Sequence, residues 1–125
     1  MPLSQHRPFS DVVLAEGTTS VATNPVPAVM VAPCSGVLQR VYAAPGGTTT
    51  GTIAVAVTIN GGADITGGAL TIAAGANARN NPGLELAKIG ASAVNINEGD
   101  LITFTPSGGG GASIPGAFTA VIRAS

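Results

Sequence analysis

Apolar and polar residues alternate along much of this chain with the period of a β-strand. The clearest segment is 52–59, in which Ile53, Val55, Val57 and Ile59 alternate with threonine and alanine. A period of two places successive side chains on opposite faces of a sheet. The pattern therefore predicts a strand with one buried face.

A second alternating segment spans residues 37–42. Its two predicted faces are Val37, Gln39 and Val41 on one side, and Leu38, Arg40 and Tyr42 on the other. Further strands are predicted over 69–73, 84–89, 93–96, 101–105 and 117–123. No segment combines the helical period with a cap at each end, so no helix longer than one turn is expected.

Turn residues separate these segments. Asn60, Gly61 and Gly62 follow the 52–59 strand and accept the positive φ angles of a tight hairpin turn. The other connections also consist largely of glycine, asparagine, aspartate and proline. Eight or nine short strands in 125 residues predict a single all-β domain, a β-sandwich or jelly roll of about eight antiparallel strands.

The first 33 residues contain five of the nine prolines, which fix φ and remove backbone donors. Short β-prone runs at 11–15 and 28–32 interrupt them. Residues 1–33 are therefore predicted to form an extended, proline-rich N-terminal arm with the first strand or strands, and residues 34–125 the sandwich. The arm either reaches onto a neighbouring subunit or is a loose tail beside an edge strand.

Composition excludes several classes of function. Only 9% of residues are charged and the net charge is −1, too little positive charge for a nucleic-acid partner. No signal peptide and no apolar run of membrane-spanning length is present, so no membrane segment is expected. Exposed faces rich in alanine, valine and threonine, with so little charge, predict a homo-oligomer.

Candidate catalytic chemistry is scarce. His6 is the single histidine and lies in the arm, without a serine or cysteine at a suggestive spacing. Cys34 is the single cysteine, so no intrachain disulfide or cysteine-based zinc site is available. It has no basic neighbour in sequence and is interpreted as a small, partly buried hydrophobic residue rather than a reactive thiol. No enzyme activity, catalytic residue, cofactor or metal is predicted.

Two glycine-containing turns have alternative interpretations. The segment 95–100 places asparagine and carboxylate oxygens around a glycine, which would suit weak calcium binding; a solvated turn that caps the next strand is the favoured interpretation. Asp64 and Glu85 are scattered acids, and Lys88 is the one lysine. Gly108–Gly111 is either a mobile binding loop or, as favoured, a flexible, solvated hairpin connection.

Four aromatic side chains are too few to form a platform for sugars or single strands. Alternation predicts that Phe104 and Phe118 face the core. Phe9, beside Pro8, is either an anchor of the arm on a partner or a local staple. Tyr42 completes the aromatic set.

Residues 35–123 resemble the jelly-roll head decoration, or cement, proteins of tailed bacteriophages. The segments that carry the resemblance are Ser35-Gly-Val-Leu38, Tyr42-Ala-Ala-Pro-Gly46, Thr52-Ile-Ala-Val-Ala-Val-Thr-Ile-Asn-Gly61, Leu70-Thr-Ile72, Asn97-Glu-Gly-Asp-Leu-Ile-Thr-Phe104 and Ala117-Phe-Thr-Ala-Val-Ile-Arg123. Fibre and baseplate jelly rolls share this strand order. The resemblance contains no catalytic motif.

This resemblance implies a non-enzymatic virion protein, made in the host cytoplasm, that binds the outer surface of the capsid. It implies a homotrimer at threefold and quasi-threefold positions, with the major capsid protein as its partner. One alternative is a receptor- or glycan-binding jelly-roll module of a tail fibre or baseplate. Another is a cupin-like metal enzyme, which usually needs two or more histidines where this chain has His6 alone.

Overall fold

A computed structural model of the protein describes residues 10–65, 68–75, 85–88 and 94–124. These ranges contain nine strands and no helix. The strands are β1 (Ser10–Thr18), β2 (Ala28–Val31), β3 (Gly36–Pro45), β4 (Ile53–Ile59), β5 (Leu70–Ile72), β6 (Glu85–Lys88), β7 (Val94–Ile96), β8 (Leu101–Ser107) and β9 (Gly116–Ala124). The predicted all-β fold is confirmed.

The strands form two antiparallel sheets. The five-stranded sheet has the order β1-β9-β3-β6, and the four-stranded sheet has the order β2-β8-β4-β5. Both β6 and β7 pair with the edge of β3 that β9 leaves free, so they share one position in the sheet. With these two strands counted as one, the order is that of a jelly roll, as predicted.

The inner faces of the two sheets form one core. Ile53, Val55 and Val57 of β4 are buried, as their alternation predicts. Phe104 on β8 and Phe118 on β9 are also buried, and the prediction that both face the core is confirmed. Burial of each such side chain contributes about 1.5–3 kcal/mol to folding.

The predicted faces of β3 are wrong because the strand contains a bulge. Leu38 pairs with Ile122 and Arg40 with Val121, which leaves Gln39 without an opposite residue. The extra residue reverses the alternation, so Leu38 and Val41, predicted on opposite faces, both lie in the core.

Residues 10–31 are part of the sandwich itself, since β1 and β2 belong to opposite sheets. Residues 1–9 of the predicted arm lie outside the described ranges, and with them His6 and Phe9. The turn after β4 has the predicted form. Asn60 and Gly61 have φ angles of 52° and 73°, and the Gly62 N–H donates to the Ile59 carbonyl at 3.0 Å.

Candidate functional site

The strands of the two sheets differ in charge. The four strands of the four-stranded sheet contain no charged residue. The strands of the five-stranded sheet contain six: Asp11, Glu16, Arg40, Glu85, Lys88 and Arg123. Charged side chains usually keep the exposed surface of a sheet hydrated and prevent association. A sheet whose strands contain no charged residue is therefore a candidate contact surface.

We define the uncharged face as the outward-pointing residues of the four-stranded sheet. These are Val29, Val31, Ala54, Ala56, Thr58, Thr71, Leu101, Thr103, Thr105 and Ser107. They alternate along their strands with buried residues such as Met30 and Ile102. The three large apolar members are 42–58% exposed.

Strand register arranges these residues in rows. Val29, Thr103 and Thr58 lie opposite one another across β2, β8 and β4, and Val31 lies opposite Leu101. Towards β5 the alanines leave a shallow depression of about 300 Å³, and exposed Asp64, which pairs with Thr58 in an isolated bridge, places a carboxylate at its rim. The uncharged face is therefore apolar along β2, whereas its side chains towards β5 are small or have hydroxyl groups.

The outer face of the five-stranded sheet has ionic side chains. Arg123 Nε lies 3.3 Å from Asp11 Oδ1, and both side chains are about half exposed. Arg40 is exposed in the adjacent strand, beside half-buried Tyr42. A second shallow hollow of about 330 Å³ lies at one end of this sheet, lined by Ala44, Pro45, Gly46, Pro115, Gly116 and Ala117.

The turn between β7 and β8 is closed by Asp100. The Asn97 N–H donates to Asp100 Oδ2 at 2.9 Å, and the Asn60 amide donates to Oδ1 at 3.0 Å. These hydrogen bonds, first from the Asn97 backbone and then from Asn60, lower the pKa of Asp100 below 3.8. Gly99 has a φ of 93°, which few other residues adopt.

Asn60 extends this network to the neighbouring hairpin. Its N–H donates to the Leu101 carbonyl at 2.8 Å, and its Oδ1 accepts from the Leu101 N–H at 2.9 Å. Both carboxylate oxygens of Asp100 therefore accept a hydrogen bond from another residue of the protein. Within the described ranges no group of three His, Cys, Asp or Glu side chains could hold a metal ion.

The four-glycine segment is partly solvated, as expected from the sequence, since Gly108 and Gly111 are exposed, but Gly109 and Gly110 are half-buried. The Thr50 hydroxyl donates to the Gly110 carbonyl at 2.6 Å, and the Thr23 hydroxyl donates to that of Gly111. A Cβ at Gly109 would lie 2.8 Å from Ile53 Cγ1. The absence of side chains therefore lets this loop lie against the two loops beside it.

The remaining candidate residues are not brought together. Cys34 is half-buried against the core, while Asp64 and Glu98 are exposed. In β6, Glu85 lies opposite Ala43 in register and Lys88 lies opposite Arg40.

Comparison with known proteins identifies no relative: no family model and no curated protein matches this chain. The described ranges also contain no helix long and apolar enough to cross a membrane. The geometry defines a jelly-roll protein whose distinguishing surface is the uncharged face. Sequence alternation separated the outward residues Ala54, Ala56 and Thr58 from the buried residues of β4, but the common face depends on which strands share a sheet.

Proposed function

We propose that this protein is a non-enzymatic structural protein of a phage particle, which binds the outer surface of the capsid as a trimer and stabilises it. The resemblance of residues 35–123 to decoration proteins supports this proposal. So does the jelly-roll topology that those proteins share. The major capsid protein would be its partner, and the assembled virion its location.

The observation that carries the proposal is the uncharged face. Centres of protein interfaces are depleted of charged residues, whereas free surfaces usually carry them. Val29, Val31 and Leu101 form an apolar patch on this face, and rows of threonine beside it offer hydroxyl groups for hydrogen bonds. Such a surface suits contact with another folded protein.

The size of the face explains why a trimer would be needed. Four strands about 4.8 Å apart and on average about five residues long present a face of roughly 330 Å². A stable interface takes about 800 Å² from each partner. A single copy would therefore bind weakly, whereas three linked copies would bind through effective concentration.

Stabilisation of the shell then follows from mass action. A ligand that binds the assembled shell and not its separated subunits lowers the free energy of the assembled state. At a free concentration one hundred times the dissociation constant, each occupied site contributes about 2.7 kcal/mol. No charge transfer, bond cleavage or cofactor takes part.

Co-sedimentation with capsids assembled without this protein tests the proposal. The wild-type protein is expected to pellet with the capsids, and T105E, which puts a carboxylate on the uncharged face, to stay in the supernatant. T119E places the same charge on the outer face of the five-stranded sheet and is the matched control, expected to pellet. Failure of the wild type to pellet, together with hits on a glycan array, would favour a receptor- or glycan-binding module instead.

A further inference from the structure

The two sheets have four edge positions, and these differ in how open they are to another strand. Strand β5 has three residues, and β2 has four between Pro27 and Pro33. The position shared by β6 and β7 is divided between two short strands. Shortness, proline and interruption are the usual ways in which proteins protect sheet edges.

Strand β1 has none of these protections. It runs for nine residues, contains no proline and pairs with β9 in an unbroken register from Ser10 to Thr18. Its other edge faces no strand within the described ranges. Val13, near the centre of the strand, is 63% exposed, the highest value among the large apolar residues described. As far as the described residues show, no strand occupies this edge, which makes it a site for strand addition.

The charges of β1 indicate which strand would fit. Its two charged residues, Asp11 and Glu16, are both acidic. Asp11 is 3.3 Å from Arg123 Nε, whereas no basic side chain lies within ion-pair distance of Glu16 in the part of the chain that the structure describes. Glu16 Oε1 accepts a hydrogen bond from the N–H of Gly17 at 3.2 Å. A complementary strand would bring a cation to Glu16.

The sequence just before β1 has the required chemistry. Residues 3–7, Leu-Ser-Gln-His-Arg, contain no proline and no acid, and end in Arg7. A two-residue hairpin at 8–9 that returned them to their own β1 would need a positive φ at its first position. Pro8 is fixed near a φ of −65° and cannot supply it. The shortest return to its own β1 is therefore closed to the segment, and the β1 edge of another copy is the alternative that we consider.

We infer that residues 3–7 of one copy add as an extra strand to the free edge of β1 in the next copy, with Arg7 beside Glu16. The contact is head-to-tail, and in the proposed trimer three such contacts would close a ring. Main-chain hydrogen bonds supply affinity, and the ion pair selects the register. This inference rests on the trimer of the proposed function and specifies how its subunits are joined.

Light scattering coupled to size exclusion tests the inference on the full chain. The double variant S4P/Q5P removes two consecutive amide donors, one of which must face the neighbouring strand because alternate amides point to opposite sides. It is expected to elute as a monomer, while its control S4A/Q5A remains a trimer. Unchanged circular dichroism would show that both variants fold.

Charge exchange provides a second measurement. R7E and E16K are each expected to weaken every arm contact by about fivefold. The double variant R7E/E16K again places opposite charges at the two positions. It is therefore expected to restore assembly. E98K, which reverses an exposed carboxylate on the β7–β8 turn, is the matched control and should leave assembly unchanged.

The outcomes separate the two proposals. A wild-type trimer that S4P/Q5P leaves intact would overturn the arm exchange while the trimer stands. Failure of the combined charge variant to recover beyond R7E or E16K alone would overturn the pairing of Arg7 with Glu16. A monomeric wild type would overturn the trimer itself, and the arm exchange with it.

Discussion

The rings of Phe104 and Phe118 stack with their centroids 5.0 Å apart and their planes inclined by 19°. Because Phe104 lies on β8 and Phe118 on β9, this contact joins the four-stranded sheet to the five-stranded sheet. Both side chains are fully buried. They are two of only three phenylalanines in the chain, and the rest of the core consists of smaller side chains.

Replacement of either ring should therefore destabilise the protein strongly. F104A and F118A are each expected to reduce the free energy of unfolding by about 3–5 kcal/mol, since each leaves a cavity. The double variant should lose less than the sum of the two, by about 0.5–1.5 kcal/mol from the lost ring contact. Urea unfolding followed by circular dichroism measures all three values. Strict additivity would contradict a direct coupling of the sheets through these rings.

Two neighbouring glycines should respond differently to the same substitution. In G109A the new Cβ would meet Ile53 Cγ1 at 2.8 Å and Ala22 Cα at 2.9 Å. This crowding is expected to destabilise the protein by about 1–3 kcal/mol. G110A adds a Cβ that meets nothing within 4 Å, so it should be neutral. Thermal unfolding compares the two variants, and equal stabilities would contradict the packed loop.

The turn at Asp100 should make stability depend on pH in the acid range. Hydrogen bonds to the charged carboxylate lower its pKa in the folded state, first from the Asn97 N–H and then from the Asn60 amide. The resulting stability is present above the unfolded pKa of 3.8 and is lost as the pH falls through the lower folded value.

D100N removes this titration. We expect it to be less stable than the wild type at neutral pH, with the difference shrinking as the pH falls from about 5 to about 2. Urea midpoints measured across this range give the comparison. Parallel pH profiles for the two proteins would show that the Asp100 hydrogen bonds do not contribute to stability.

Local alternation predicted much of this fold, because burial of one face imposes a period of two wherever a strand is regular. Alternation alone was enough to predict the buried residues of β4, which are Ile53, Val55 and Val57. The bulge at Gln39 could not be predicted in the same way, because it depends on how β9 pairs with β3. A short-range pattern contains no information on that pairing.

The candidate site was less predictable than the strands. Alternation separates Ala54 and Ala56 from the buried residues of β4, yet these alanines share a face with Val29 and Leu101 only because β8 pairs with both β2 and β4. A partial sequence signal was nevertheless present, since the predicted strands 28–32, 52–59, 69–73 and 101–105 contained no charge, although 93–96 in the other sheet contained none either. The packing of Gly109 against Ala22 and Ile53 had no comparable signal.

The proposed role is tested most directly by the temperature at which DNA-filled phage heads, assembled without this protein, release their DNA. Addition of the purified protein is expected to raise this temperature and to reach a plateau once all sites are filled, because binding favours the intact shell. A release temperature that stays unchanged at saturating protein would contradict the proposal that this jelly roll reinforces a capsid.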